Sequence, residues 1–307
     1  MTIAVTPRHT TGLTHLQGSL LVLATGVVFS FGGLAYRSAE AAGPWQYSVF
    51  RGLGAFVVAV TYLAFRHRRA LPALVRTIAP THVLAGVLIG SISCLFIASL
   101  EVASVAFVMF LQTASPIAAA YFSWLLIRER VSRNVMVATG ITLVGTGIMV
   151  SGTLTDRVAP AGLIAVAIPL VFGLYTTLIR AAPAIDPTVP VVFSGTTMMV
   201  VGLVVTFASA GSLDIAGADA ATAFFAGAVL LGVPLILFNV AQRAVPSSES
   251  TLLLMNEVVL APLWVWVFVA EQPEWTTLLG GSIILSAIAW LTVARAPRRV
   301  RVVTTRG

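Results

Sequence analysis

Glu257 is an acidic residue inside one of the most apolar stretches of the chain, MNEVVLAPLWVWVFVAE at 255–271. If a helix begins near residue 249, Glu257 lies about two turns from its start. A carboxylate at that depth in hydrocarbon is costly, and it persists only where it is paired, protonated or facing a water-filled cavity. Two roles fit: binding the amino group of a zwitterionic or cationic substrate, or carrying a coupled proton. The alternative is a static ion pair that orients two helices.

Arg51 is the basic residue that lies deep inside another apolar stretch, and it is the first candidate partner for Glu257. Because the two residues approach the membrane midplane from opposite surfaces, a pair of Arg51 with Glu40 or Glu101 is the competing interpretation. Asn256 falls on the same predicted helical face as Glu257, by the spacing of i, i+3, i+4 and i+7.

Further candidates are polar or aromatic side chains at membrane depth and prolines inside apolar stretches. A polar side chain there either contacts substrate or only bonds a neighbouring helix, and aromatic residues either line a pocket or only pack. Proline removes a backbone hydrogen bond and so permits a hinge, although membrane helices tolerate it generally. The candidates for the site are Gln112, Tyr175 and Trp264, and those for hinges are Pro116 and Pro262.

The composition indicates an integral membrane protein, because 58% of the 307 residues are hydrophobic and 9% are charged, against about 25% charged in soluble domains. The net charge is +7, and all 18 basic residues are arginines, which apart from Arg51 fall mainly in short loops and the tail. This distribution fits membrane topology better than nucleic-acid binding. The lone Cys94 excludes an intrachain disulfide and a thiolate metal site. No lysine exists to complete an ATP-binding Walker loop. We therefore expect no cofactor, no metal and no nucleic-acid partner.

Ten apolar stretches are long enough for transmembrane helices, which need about 17–25 residues. With the N-terminus in the cytoplasm, the ten predicted spans place 15 arginines on the cytoplasmic side and two outside. This asymmetry predicts that both termini are cytoplasmic. The spans lie at roughly 16–36, 45–65, 81–100, 103–127, 134–152, 161–180, 189–209, 219–240, 249–270 and 275–294.

An internal repeat divides the predicted spans into two groups of five. Arg37 after span 1 and Arg180 after span 6 are 143 residues apart, and Glu129 after span 4 and Glu271 after span 9 are 142 apart. Since five is odd, the second half must be inverted relative to the first. We predict an all-α fold of ten transmembrane helices as two inverted five-helix repeats, 1–152 and 153–307. Such repeats are typical of secondary transporters, whose substrate site lies between the halves.

Three segments, which lie at 30–37, 115–132 and 257–271, together resemble the EamA branch of the drug/metabolite transporter superfamily. The stretch from Glu257 to Glu271 is similar to a familiar segment of that branch. SPIAAAYFSWLLIRERVS at 115–132 matches a pattern of proline, an apolar run and Gly-Glu-Arg, with Arg128 in place of the glycine. SFGGLAYR at 30–37 resembles the exit of span 1, where Phe29 replaces a common tryptophan. The resemblance covers nearly the whole chain and implies a ten-helix transporter, often an exporter of amino acids, other metabolites or toxic compounds.

The predicted function is secondary transport, and export in particular, of a small metabolite by alternating access around a central cavity. Proton coupling through Glu257 and uncoupled facilitation or exchange are both open. A lipid-modifying membrane enzyme is a weaker alternative, because the sequence shows no cluster of acids or histidines at one face. A channel is another, although no selectivity filter is recognisable. We expect an inner-membrane protein, a monomer or homodimer, whose partners are its substrate and the membrane lipids.

Overall fold

Helices are the only regular elements in the part of the chain that the computed structural model describes, residues 13–39, 42–102, 105–151, 159–181, 186–209, 212–269 and 275–295. They include a 3-10 turn (Arg68–Ala70) and a π-helical segment (Ala226–Gly232). The α-helices are α1 (His15–Phe29), α2 (Gly32–Arg37), α3 (Pro44–His67), α4 (Leu71–Arg76), α5 (Pro80–Val102), α6 (Val105–Gln112), α7 (Ser115–Ile127), α8 (Arg133–Ser151), α9 (Ala159–Ala181), α10 (Val189–Ser209), α11 (Gly217–Phe225), α12 (Val233–Ala241), α13 (Ser247–Leu254), α14 (Asn256–Val269) and α15 (Trp275–Arg295).

Seven helical stretches within the described residues are long and apolar enough to cross a membrane. Lipid offers the backbone no hydrogen-bond partners, so spanning segments of this kind are helical. The protein is therefore a multi-pass helical membrane protein, as predicted, and the count of ten spans remains a prediction. The seven stretches are His15–Arg37, Pro44–His67, Pro80–Glu101, Val189–Ser209, Gly217–Ala241, Ser247–Phe268 and Trp275–Ala294.

Several predicted spans are interrupted where the sequence pattern suggested continuous helices. The fourth is broken between α6 and α7 because Pro116 has no N–H for the carbonyl of Gln112, four residues earlier. The Ser115 hydroxyl donates to that carbonyl at 2.6 Å instead. In the eighth predicted span, the α-helix changes to the π-helical segment shortly before Pro234. The first is broken after Phe29, and the ninth is broken at Met255.

A shift of 143 residues, the distance from Arg37 to Arg180, matches each helix of the first half with a helix of the second. Under this shift, the contacts between helices map onto one another. The helices α3 and α10 occupy equivalent positions and pack on each other, and so do α8 and α15. The helix α9 packs on α5 and on α6–α7, and correspondingly α1 packs on α12 and on α13–α14. The breaks before α7 and before α14 are also equivalent. The packing thus has the pairing that an internal repeat requires.

The central helices α3 and α10 approach each other so closely that two glycines form the contact. A Cβ atom added to Gly195 would lie 2.6 Å from the carbonyl oxygen of Gly52. Small residues of this kind allow membrane helices to pack through their backbones. In contrast, a Cβ atom added to Gly140 on α8 would meet nothing within 4 Å.

Four ion-pair contacts between described residues lie at one end of the bundle, which we call the His15 end because α1 begins there. His15 contacts Glu249 at 2.9 Å, Arg180 contacts Glu129 at 2.8 Å, and Asp186 lies near two basic residues. The carboxylate of Asp186, in the loop before α10, is 2.7 Å from Nε2 of His67 and accepts from the backbone N–H of Thr188. Burial raises the pKa of Asp186, but these hydrogen bonds and the charge of Arg66 outweigh it, so the pKa lies below the ordinary 3.8.

We expect Gly195→Ala to destabilise the protein by about 1–3 kcal/mol, because the added methyl group meets the backbone of α3. The thermal midpoint of the purified protein in detergent measures the effect. The matched control is Gly140→Ala, which adds the same methyl group to open space and should leave the midpoint unchanged or raised. Equal midpoints for the two variants would contradict the close contact of α3 with α10.

Asp186→Asn should lower the thermal midpoint near neutral pH, because Asp186 holds the loop before α10 to the end of α3. Since its pKa is depressed in the folded state, its stabilisation is present above pH 3.8 and is lost as the pH falls through the folded-state value. The difference between wild type and variant should therefore shrink in acid when midpoints are measured from about pH 6 to about pH 3. Asp214→Asn, at an exposed carboxylate, is the control and should give no such difference.

Candidate functional site

A cavity of about 90 Å³ lies among the central helices, next to the breaks in the first, fourth and ninth predicted spans. Gly32 begins α2, Gln112 ends α6, Leu254 ends α13, and all three line the cavity. Interrupted helices at membrane depth leave backbone groups unpaired, and transporters use such groups around their substrate sites. The volume admits several water molecules and is below the roughly 300–1,000 Å³ of a site for a drug-sized ligand. In this conformation, the cavity suits only a small ligand or a small part of a larger one.

Glu257 lies in the first turn of α14 and faces this cavity. Only 5% of its surface is exposed. The described part of the chain offers its carboxylate neither a hydrogen bond nor an ion pair, so the static pair considered from the sequence is not observed. The start of α14 carries the positive end of the helix dipole, which favours a negative charge there. The carboxylate is therefore placed to accept a proton or to bind an ammonium group in the cavity.

Arg51 on α3 lines the same cavity and is 7% exposed. Within the described part of the chain, its side chain makes one hydrogen bond, a long one of 3.5 Å from Nη1 to the carbonyl oxygen of Ser93. Glu101 accepts a hydrogen bond from the Tyr36 hydroxyl instead of pairing with Arg51, and Glu40 lies outside the described residues. Arg51 and Glu257 are thus buried opposite charges that share a cavity without an ion pair between them.

Gln112 is the third predicted site residue at the cavity. Its backbone carbonyl, at the end of α6, lacks the backbone donor that Pro116 cannot supply and accepts from the Ser115 hydroxyl instead. Pro116 therefore lies at a break in the helix, as a hinge requires. Residue 262 lies within α14, but the side chain of Pro262 is outside the part of the chain described. The remaining walls are mostly apolar and include Phe29, Ile92, Phe96, Met109 and Phe172.

Asn256, Tyr175 and Trp264 do not line the cavity, and each holds helices together. The Asn256 amide donates to the carbonyl of Leu23 at 2.8 Å, beside Gly26, where a Cβ atom would be 1.8 Å from Oδ1 of Asn256. The Tyr175 hydroxyl donates to Asn239 at 2.6 Å. Trp264 stacks on Phe31 at 4.5 Å and donates from Nε1 to the Ser30 hydroxyl at 2.7 Å. These geometries favour roles in positioning rather than in substrate contact.

Ser93 and Gly32 also line the cavity and were not among the predicted site residues. Their only signal in the sequence is a small side chain in an apolar helix, which is common to most helix contacts in membranes. Among the residues described, no group of three or more histidine, cysteine or acidic side chains could hold a metal ion.

Comparison with protein families identifies the fold. The sequence model of the EamA-like transporter family matches residues 16–151 and, separately, residues 160–293. The chain belongs to the EamA-like transporter family. It is therefore a membrane transporter of the drug/metabolite type, and the cavity with Glu257, Arg51 and Gln112 is its candidate substrate site. Comparison with curated proteins gives no significant match.

The fold of this EamA-like transporter also occurs among solved structures. One crystal structure superposes with a TM-score of 0.77 at 16% sequence identity, and the match covers 92% of this chain and 99% of the other. At that identity the likeness concerns the fold alone. The two separate matches to the EamA model agree with the pairwise exchange of helix contacts described above.

Tyr175→Phe should destabilise the transporter by about 1–3 kcal/mol, because Oδ1 of buried Asn239 would lose its hydrogen bond. The thermal midpoint in detergent measures this loss, and Tyr121→Phe, on the exposed face of α7, is the control. Since Tyr175 does not line the cavity, a ligand that stabilises wild type should raise the midpoint of Tyr175→Phe by the same amount. If the ligand no longer raised the thermal midpoint of Tyr175→Phe, this result would indicate that Tyr175 belongs to the substrate site.

Proposed function

We propose that this EamA-like protein is a secondary transporter that carries a small zwitterionic or cationic metabolite by alternating access. The observation that supports the proposal is the buried Glu257, which has no partner among the described residues and lies at a cavity beside the helix breaks, with Arg51 on the cavity wall. Buried charges without partners are costly. A substrate that brings an ammonium group to Glu257 would offset part of that cost, and a carboxylate would do the same at Arg51.

The membrane arrangement belongs to the same proposal. Ten spans form two inverted repeats, 1–152 and 153–307, with both termini and the His15 end in the cytoplasm. The arginine asymmetry supports this orientation, and the helix contacts that exchange between α1 and α9 support the repeat. We propose that the protein lies in the inner membrane of a bacterium and is an exporter rather than an enzyme. The prevailing gradient sets the direction of flux.

Glu257 has one of two roles in this proposal, and they differ in their response to pH. If it binds the substrate, then replacing it weakens binding at every pH at which the carboxylate is ionised. If it carries a proton instead, then substrate still binds to Glu257→Gln, but transport no longer depends on the proton gradient. An uncoupled facilitator would use the same cavity without that dependence.

Glu257→Gln should abolish the stabilisation that a substrate gives to the wild-type protein. A ligand at 100 times its dissociation constant stabilises the folded state by about 2.7 kcal/mol, so a screen of thermal midpoints against amino acids, amines, nucleosides and lipophilic cations detects it. Arg51→Gln separates the substrate classes: a zwitterion should lose its effect in both variants, and a simple cation only in Glu257→Gln. Asp214→Asn is the exposed control.

A ligand that stabilises wild type and Glu257→Gln equally would remove Glu257 from the binding site. In that case, proton flux into liposomes that contain each protein decides between coupling and a structural role. Transport that is equal in wild type and Glu257→Gln at several pH values, with the same proton flux, would contradict both functional roles.

A further inference from the structure

Arg180, at the end of α9, joins three helical segments at the His15 end. Its guanidinium donates to both carboxylate oxygens of Glu129 at 2.8 and 2.9 Å. Nη1 also donates to the carbonyls of Gln242 and Val245, just after α12, at 2.9 and 3.0 Å. We propose that Arg180 and Glu129 form a gate pair that closes the cytoplasmic entrance to the cavity and that must separate before this side opens.

The gate pair closes a seam between α7 and α9 that leads towards the cavity. Ile168 and Phe172 of α9 line the cavity. Next along α9, Gly173 lies against Ala118 and Ala119, so closely that a Cβ atom would be 2.5 Å from the backbone nitrogen of Ala119. One turn further, the Thr177 and Ser123 hydroxyls are 3.1 Å apart, and Arg180 with Glu129 follows at the end. Separating α7 from α9 would therefore connect the cytoplasm with the cavity.

The helix α7 has the features of a segment that can move against α9. It begins at the break between Gln112 and Ser115, beside the cavity, and so need not move with α6. At its other end, Arg128 adopts a left-handed backbone conformation with φ of 56°, which ends the helix. The backbone N–H of Glu129 then donates back to the carbonyl of Ser123 at 3.1 Å. This turn presents the Glu129 carboxylate to Arg180.

The gate pair can also separate, because both side chains are partly exposed to water. The side chains of Arg180 and Glu129 are 22% and 23% exposed, so neither loses all solvation when they pair and neither is stranded when they part. Close by, the side chain of Gln242 is fully buried, and both of its amide atoms lack a partner among the described residues. Opening of the seam would admit water to these atoms, which favours the open state.

The internal repeat supplies a matched residue at the opposite end. Arg37 donates from Nη2 to the carbonyl of Leu100 at 3.0 Å, just as Arg180 donates to Gln242. The acid that the repeat would place beside Arg37 is Glu271, which lies outside the described residues. Arg37 therefore serves as the control for a general effect of removing an arginine from a helix end.

The test measures access to a reporter cysteine in the seam. Cys94 is buried and free, so Cys94→Ala gives a cysteine-free background, and Ser123→Cys places the reporter one turn inside the gate pair. A membrane-impermeant thiol reagent is applied to inverted vesicles, which expose the cytoplasmic face. We expect Arg180→Gln and Glu129→Gln each to raise the labelling rate at least about tenfold, because each removes a charge-assisted contact of the closed state.

Arg37→Gln should leave the labelling rate unchanged, and the double variant Glu129→Gln/Arg180→Gln should label no faster than the faster single variant. An unchanged rate in Arg180→Gln or Glu129→Gln, with a retained thermal midpoint, would overturn the proposal, and so would an equal rise in Arg37→Gln. If Arg180→Gln fails to fold, Glu129→Gln alone decides, because it leaves Arg180 its two carbonyl acceptors. The gate rests on the proposed alternating access, but labelling needs no substrate, so failure to find a transported compound and failure of the gate are distinguishable.

Discussion

The cost of charge in a low-dielectric interior is the constraint on which this structure depends. Most of the arginines that the structure describes avoid that cost by lying in loops and at helix ends. Arg51 and Glu257 do not, and the helices around them are arranged so that both face one cavity. If Arg51 and Glu257 formed an ion pair with each other, neither charge would be available to bind a ligand in the cavity. Kept apart, the two charges remain available, which is the electrostatic condition for a substrate that carries charge of its own.

Helix breaks make that cavity possible. An unbroken α-helix satisfies its own backbone and presents only side chains, whereas a break ends one helix and begins another inside the membrane. The break before α7 follows directly from Pro116, and the Ser115 hydroxyl satisfies the carbonyl that the proline leaves free. The equivalent break at Met255 places Glu257 in the first turn of α14, where the helix dipole favours its charge. The two breaks thus shape the cavity, position its acid and separate α7 from α6.

The sequence predicted the helical membrane fold, the transporter family and three of the four polar side chains that line the cavity, because charge and hydropathy in lipid leave few alternatives. It misplaced finer features for a physical reason. The spacing rule assigns Asn256 to the face of Glu257, but consecutive residues of an α-helix point about 100° apart. The Asn256 amide bonds to the carbonyl of Leu23 instead of facing the cavity. Tyr175 and Trp264 were aromatic residues at suitable depth, and only tertiary contacts show that they brace Asn239 and Ser30. Small and apolar wall residues such as Gly32 and Phe96 cannot be told from packing residues by type alone.

The two ends of the bundle differ in how their charged side chains are paired, and this difference bears on which end must open next. At the His15 end, charged side chains from α1, α3, α9 and the end of α7 are paired. At the opposite end, Arg37 holds a backbone carbonyl while Glu101 accepts from Tyr36, and neither is in an ion pair with another described residue. Contacts that join separate helices through ionic bonds must be broken before those helices part. Under the proposed alternating access, the structure corresponds to a state in which the His15 end is closed. A substrate in the cavity would shift the balance only through contacts that differ between this state and the next.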